Sequence, residues 1–175
     1  MEKAETYSTS DLAYALFGCA AESVYVGASG SRMPLERFAG LLTARQQSDG
    51  NFPAEHDEAP AGRRLADLIY TDNWALLGLQ CAASLDSRWE SAYSKRLELL
   101  VSIQDRTVHS SFRGCWRGMY DLSVRRWGGG DRFEGGTNSI YTGWTNAPIA
   151  LALVNALENT SLFPDGVHGV PAFRG

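Results

Sequence analysis

The sequence lacks the features that place a protein in a membrane or on a nucleic acid. No apolar run reaches the roughly 20 residues that a membrane-spanning helix needs, and the start of the chain lacks the apolar core of a signal peptide. The formal charge is −4 with acids and bases interspersed, so no basic stripe marks a nucleic-acid site. We expect a cytoplasmic protein with no nucleic-acid partner and no membrane partner.

Cysteine and histidine are scarce, with three of each in the chain. Cys19 and Cys81 stand among small apolar residues, and no two cysteines have C-x-x-C spacing, which favours buried free thiols in a reducing compartment. His56, His109 and His168 are scattered, and none lies at ligand spacing from a cysteine. We expect no metal and no cofactor.

Apolar and aromatic side chains, by contrast, are plentiful. They include five tryptophans, seven tyrosines and seven phenylalanines in a chain that is 44% apolar, which is enough for a core and argues against disorder. A length of 175 residues is typical of one domain. We treat residues 1–175 as one domain, either complete or a piece of a larger enzyme.

The chain repeats itself at intervals of tens of residues. Leu41–Gln46 matches Leu99–Gln104, and Ile69–Thr71 matches Ile140–Thr142. An apolar helical pattern follows each of the two triplets, and a weaker third copy begins at Tyr7. Self-similarity of this kind is typical of folds built by stacking units.

Five segments show helical periodicity and none shows a strand pattern, so we expect a nearly all-helical chain, and a sheet of more than two short strands would contradict a toroid. Helices that are apolar on nearly all sides are predicted near 10–22, 72–84 and 146–158, and amphipathic helices near 34–47 and 88–104. A helix that is apolar on all sides is buried on every side, whereas an amphipathic helix has one face exposed to solvent. The alternation predicts an all-α fold of helical hairpins in a partial α/α toroid, with long loops at one end.

One short stretch carries a resemblance to a known superfamily. The residues from Gln46 to Phe52, QQSDGNF, resemble the Q-x-x-D-G-x-[WF] repeat of the terpene cyclase and prenyltransferase toroids. The helix alternation is similar to that of six-hairpin glycosidases and related polysaccharide lyases over roughly residues 7–160. The D-x-D-D motif of squalene-type cyclases and the histidine–cysteine zinc set of protein prenyltransferases are both absent. No catalytic residue is carried over from these families.

Five helices make less than half of the ring that this resemblance implies. The helices that are apolar on all sides would then expose an apolar surface to solvent, which soluble monomers rarely do. Either the chain is a portion of a larger toroid enzyme, or a second copy or a partner chain closes the surface.

Two long connections, near 47–64 and 105–145, each lead from an outer helix to an inner one, so they emerge at the same end of the ring. Long loops in a compact domain are usually functional. We expect the second loop to fold over the starts of two inner helices, at Asp72 and Asn146.

The second loop contains residue types that suit a saccharide site. Asp131 and Glu134 are the candidate catalytic carboxylates, because glycosidases need a pair of acid/base groups. Aromatic rings bind the apolar faces of sugars, and arginines bind hydroxyl or ionised groups. The candidate substrate-binding residues are Trp116, Arg117, Tyr120, Trp127, Arg132, Tyr141 and Trp144.

A structural role is the alternative for the same residues. Glycine and asparagine make turns, Asp131 and Glu134 can pair with arginine or cap a turn, and the recurrence of Tyr70 and Tyr141 at equivalent positions favours packing. The sequence therefore leaves three candidate functions. The first is a carbohydrate-active domain, similar to a glycoside hydrolase or polysaccharide lyase, that binds a saccharide at the loop-lined mouth. The others are a non-catalytic helical-repeat interaction module and a terpenoid cyclase-like fragment.

Overall fold

The computed structural model describes residues 7–26, 32–54, 63–107, 111, 113–128 and 143–163. The helices are α1 (Thr9–Tyr25), α2 (Arg32–Arg45), α3 (Asp72–Leu85), α4 (Glu90–Ser102) and α5 (Gly143–Glu158), and a 3-10 turn, Ser87–Trp89, precedes α4. The strands are β1 (Leu65–Asp67), β2 (Met119–Asp121) and β3 (Arg126–Trp127). All five predicted helices are present, within a few residues of their predicted bounds.

Helix α3 is the centre of the described structure. It packs against α1, α4 and α5, and 11 of its 14 residues are buried, as expected for a helix that is apolar nearly all round. Gly78 permits the close approach of α1, because a Cβ atom there would lie 3.1 Å from the carbonyl oxygen of Ala13. Helices α1 and α5 flank α3 on either side and form the inner row with it.

Helices α2 and α4 are the outer helices. Each buries a single stripe, which in α2 consists of Leu35, Ala39 and Leu42. The stripe of α2 faces α1, and α4 packs on α3. The amphipathic patterns of the sequence thus place these helices on the outside.

The starts of the inner helices and the ends of the outer helices lie at one end of the layer. Ser8 caps α1, because its Oγ accepts from the backbone N–H of Asp11 (3.0 Å) while the Asp11 carboxylate accepts from the backbone N–H of Ser8 (3.1 Å). Arg45, the last residue of α2, donates to the hydroxyl of Thr9 at 3.1 Å. The loops that follow α2 and α4 emerge at this end, which we call the loop end.

The three strands form an antiparallel sheet in the order β1-β2-β3 at the loop end. Leu65 pairs with Asp121, and Tyr120 pairs with both Ala66 and Trp127. The limit of two short strands set above for a toroid is therefore wrong, because this sheet lies in the long loops and leaves the helical hairpins intact. Strands of three, three and two residues are too short to show an alternating pattern, and β1 and β2 come from loops far apart in sequence. The sheet joins the two long loops to each other.

Helix α5 has an apolar face that is open to solvent. It packs its other side against α3 through residues that include Ile149 and Ala152, both fully buried. On the open side, Leu151, Val154 and Leu157 are 41%, 53% and 82% exposed. A run of exposed aliphatic residues on one helix is uncommon in a soluble monomer.

Candidate functional site

A buried ion pair fixes the first long loop between α3 and α4. Nη1 of Arg96 lies 3.1 Å from Oδ1 of Asp72, and both side chains are 0% exposed. The same nitrogen donates to the carbonyl oxygen of Gly50 at 3.1 Å and to Oδ1 of Asn51 at 3.4 Å. The backbone N–H of Phe52 donates to Oδ1 of Asp72 at 3.3 Å. Residues 50–52 are therefore held by one cation and one carboxylate.

The QQSDGNF stretch has structural contacts throughout. Nε2 of Gln46 donates to the carbonyl oxygen of Ala92 at 2.9 Å. Gly50 has a φ of +89°, and a Cβ atom there would overlap the backbone carbonyl of Lys95, so only glycine fits. Nδ2 of Asn51 donates to the carbonyl oxygen of Leu65 at 3.1 Å. The stretch ties the end of α2 to α4 and to β1.

Asp72 has the chemistry of an acid/base residue but the position of a structural one. Burial raises its pKa to about 7, and the nearby Arg96 guanidinium opposes that rise. Oδ2 has no hydrogen-bond partner within the described part of the chain. Perturbed carboxyl groups are frequent in active sites, yet the residue is 0% exposed. We therefore assign Asp72 to the support beneath the site.

Three aromatic rings from the three inner helices lie together at the loop end. The ring centroids of Tyr14 and Trp74 are 5.2 Å apart, and those of Trp74 and Trp144 are 5.8 Å apart. Tyr14 is 38% exposed and Trp144 is 53% exposed. Burial raises the pKa of the Tyr14 hydroxyl, and the charge of the Asp67 carboxylate raises it further. We call Tyr14, Trp74 and Trp144 the aromatic platform.

Trp144 is exposed and yet held in place. Its Nε1 donates to the carbonyl oxygen of Ile69 at 2.8 Å, and Nδ2 of Asn73 donates to the carbonyl oxygen of Trp144 at 3.0 Å. These two bonds attach the start of α5 to the turn before α3. The indole face is thereby fixed before any ligand arrives, which lowers the entropy cost of binding.

The second long loop is attached to the first turn of α5, near where the sequence predicts. The side-chain amide of Asn146 accepts from the backbone N–H of Trp116 at 2.7 Å and donates to its carbonyl oxygen at 2.9 Å. The Trp116 ring itself is 3% exposed, and its Nε1 donates to the carbonyl oxygen of Leu100 at 2.7 Å. Trp116 is thus part of the core, with no free ring face for the ligand contact that the sequence suggests.

Three other candidates come together in one cavity of about 390 Å³, between the end of α4 and the β2–β3 hairpin. The rings of Tyr120 and Trp127 meet edge to face with centroids 5.0 Å apart. Nε of Arg117 lies 2.7 Å from Oδ2 of the buried Asp105. We call this space the arginine cavity, because Arg106, Arg117, Arg125 and Arg126 all line it.

The remaining candidates, Asp131, Arg132, Glu134 and Tyr141, lie outside the described residues. Sequence reasoning missed Tyr14, Trp74 and Arg125. Tyr14 and Trp74 belong to helices whose apolar pattern predicts core residues. Arg125 lies in an ordinary charged turn, and nothing in its neighbours signals a cavity.

The described residues contain no group of three or more His, Cys, Asp or Glu side chains that could hold a metal ion. Among the described helices, none is both long and apolar enough to cross a membrane. All three cysteines are free, with Cys81 buried and Cys19 and Cys115 partly buried. Burial raises the pKa of the Cys81 thiol to about 12.

No protein-family model and no curated protein matches the sequence. Solved structures similar to the chain include the unsaturated glucuronyl hydrolase of Bacillus sp. GL1, described as responsible for the degradation of glycosaminoglycan, and a variant of UGL named with dGlcA-Glc-Rha-Glc. Each is 19% identical to this chain, with a TM-score of 0.62 over 90% of it. The chain spans 41% of the length of each.

The chain has an α/α-toroid fold. The predicted helical hairpins of a toroid are confirmed, and the chain spans less than half the length of those two toroids. At this identity the likeness concerns the fold alone. The resemblance of QQSDGNF to the terpene cyclases has no support in these comparisons and stays a prediction.

The raised pKa of Asp72 makes stability depend on pH. The carboxyl has a pKa of about 7 in the folded chain against an ordinary value of 3.8, so between these values the folded state holds a proton that the unfolded state has released. The free energy of unfolding should therefore fall as pH rises through this window, by about 1.4 kcal/mol per pH unit at most. Asp72→Asn removes the effect. Urea unfolding of both proteins from pH 4 to pH 8 measures the difference, and a difference that does not vary with pH contradicts the assignment.

Proposed function

We propose that the chain is a carbohydrate-active toroid unit that binds a saccharide on the aromatic platform at the loop end. The observation that carries the proposal is the position of Tyr14, Trp74 and Trp144. They lie near the starts of three neighbouring inner helices and are partly exposed, and the Trp74 ring contacts the rings of both Tyr14 and Trp144. Support also comes from the solved toroids of similar fold, which are glucuronyl hydrolases, one of them named with a saccharide.

The platform suits a sugar for two physical reasons. A pyranose ring has an apolar face that packs on an aromatic ring, and a platform held by hydrogen bonds loses little freedom on binding. The start of α5 also presents backbone N–H groups that attract hydroxyl oxygens, whereas the first turns of α1 and α3 already carry the carboxyl groups of Asp11 and Asp72. The platform therefore combines a stacking surface with donors from one helix start.

The proposed catalytic groups are Asp131 and Glu134, together with Arg132 and Tyr141 as substrate contacts. Their proposal rests on the sequence, because these residues lie outside the described part of the chain. The second loop that contains them leaves β3 at Trp127 and returns at α5. Both of its ends therefore belong to the loop end, where the platform lies. Hydrolysis or lyase-type cleavage of a glycosidic bond is the proposed reaction.

Trp144→Ala should weaken saccharide binding by about 1–3 kcal/mol, because it removes an exposed stacking face. The binding constant is measured by calorimetry with an oligosaccharide found by glycan-array screening of the wild-type protein. Tyr25→Ala is the matched control, since Tyr25 is also 53% exposed but ends α1 at the opposite end of the layer. Equal losses in the two variants, or no loss in Trp144→Ala, would contradict binding on the platform.

Glu134→Gln should abolish cleavage of that oligosaccharide while leaving binding and the melting temperature unchanged, because glutamine keeps the shape of glutamate and cannot donate or take a proton at neutral pH. Turnover and thermal unfolding are measured on the same preparation. If the variant unfolds, or if it cleaves at the wild-type rate, Glu134 is not the catalytic acid or base.

The alternative function, a helical-repeat module that docks a partner, is favoured by the open face of α5. Leu151, Val154 and Leu157 are spaced three residues apart and exposed, so they form one apolar strip. We propose that a second copy of the chain, or the chain that completes the ring, covers this strip. Such a contact is compatible with saccharide binding, because the strip lies along α5 beyond the platform.

Val154→Glu should therefore shift the protein from an assembly toward a monomer, because a charge in the middle of the strip cannot be buried without cost. Light scattering over a range of protein concentrations measures the mass. Val101→Glu is the control, since Val101 is 36% exposed on the outer helix α4. A wild-type protein that is monomeric at every concentration and binds no apolar dye would contradict the covering of the strip.

A further inference from the structure

The arginine cavity differs in charge from the rest of the molecule. Four arginines and one carboxylate, Asp105, stand among the described residues that line it, a net charge of +3, whereas the whole chain has a formal charge of −4. Three of the four arginines, Arg106, Arg125 and Arg126, are exposed, and the cluster gives the cavity a positive potential that attracts an anion.

The cations reach the cavity from three separate elements. Arg106 follows the end of α4, Arg117 precedes β2, and Arg125 ends the turn between β2 and β3. Asp105 orients Arg117 through a contact of 2.7 Å from Oδ2 to Nε, and the carboxylate side chain is 0% exposed. The guanidinium of Arg117 is thereby fixed, since the buried carboxylate limits its rotation.

Arg125 has a strained backbone. Its φ is +54°, a left-handed conformation that costs about 1–2 kcal/mol for a residue with a Cβ atom and that glycine or asparagine adopts readily. Arg125 and Tyr120 line the same cavity. Burial raises the pKa of the Tyr120 hydroxyl, and the charge of Arg125 opposes that rise. Strain of this kind tends to persist where the side chain has a function.

We propose that the arginine cavity binds a tetrahedral oxyanion, a phosphate or sulfate group of a small molecule whose carbon skeleton packs against Trp127. A tetrahedral group presents oxygens in several directions and can accept from guanidinium groups on three elements at once. A carboxylate presents two oxygens in one plane and would leave part of the positive charge unmatched. This site does not depend on saccharide binding at the aromatic platform.

The first experiment compares anions at constant ionic strength. Inorganic phosphate and sulfate should raise the melting temperature and give a saturable binding isotherm, whereas acetate should do neither. Glucose 6-phosphate should bind more tightly than inorganic phosphate, and Trp127→Ala should remove only that advantage. Equal effects of phosphate, sulfate and acetate, or no effect of any of them, overturn the proposal.

The second experiment uses the strain at Arg125. Arg125→Gly relieves the left-handed strain, so its melting temperature without ligand should equal or exceed that of the wild type. Its affinity for phosphate should nevertheless fall at least about tenfold, because one charge-assisted contact is lost. Arg125→Asn, which also tolerates the left-handed conformation, is the second variant and should behave alike.

Arg113→Ala is the matched control for charge. Arg113 is exposed, precedes Gly114, whose backbone N–H donates to the carbonyl oxygen of Asp105 at 2.7 Å, and is not among the residues that line the cavity. Its affinity for phosphate should stay within about twofold of the wild type, since it loses the same charge but no contact. If Arg113→Ala and Arg125→Gly lose affinity equally, the anion is held by the overall field and the proposed cavity site is wrong.

Discussion

The ion pair between Arg96 and Asp72 is the interaction on which the loop end depends. Removing two charges from water is costly, and a buried pair is stable only when further hydrogen bonds complete it. Here the backbone groups of Gly50 and Phe52 satisfy Nη1 of Arg96 and Oδ1 of Asp72, while Nε and Nη2 of Arg96 and Oδ2 of Asp72 have no hydrogen-bond partner among the described residues. The pair thus stabilises a loop conformation more than it stabilises two helices. Loss of Asp72 would leave the Arg96 charge in the core without its partner, an effect of about 3–5 kcal/mol in proteins generally.

The short sheet extends this support to the second loop. Asn51, fixed beside Arg96, donates to the backbone of Leu65, and Leu65 pairs with Asp121 in β2. The chain of contacts continues to Trp116, whose backbone is held by Asn146 of α5. The aromatic platform and the arginine cavity are therefore attached to one network that begins at a buried cation. Neither site lies on a free loop.

Sequence patterns predicted the helices well because burial on a helix repeats with a regular period. The all-round apolar pattern of α3 fits only the inner row of helices, and the single apolar stripe of α2 fits only the outer row. The sheet was not predictable, because a three-residue strand has no period and its partner lies in another loop. Among the site residues, Trp144 was a candidate because it lies among glycines and polar residues in the second loop. Tyr14 and Trp74 were not, since an aromatic residue in an apolar helix has the same local pattern whether its ring faces the core or the mouth. Trp116 shows the converse, because its glycine-rich and charged neighbours in sequence differ from the apolar residues that surround it in space.

The open side of α5 also has a consequence for local motion. In stacked helical repeats each element is stabilised mainly by its nearest neighbours, so the stability of the array is close to a sum of neighbouring interfaces. Helix α3 has neighbours on both sides within the inner row, whereas α5 packs on α3 and exposes Leu151, Val154 and Leu157. Local opening is therefore easiest at α5, with the ion pair of Arg96 left intact. Since α5 carries Trp144, a neighbour on that open side would do more than hide apolar surface: it would decide how much of the time the third ring of the platform is in place.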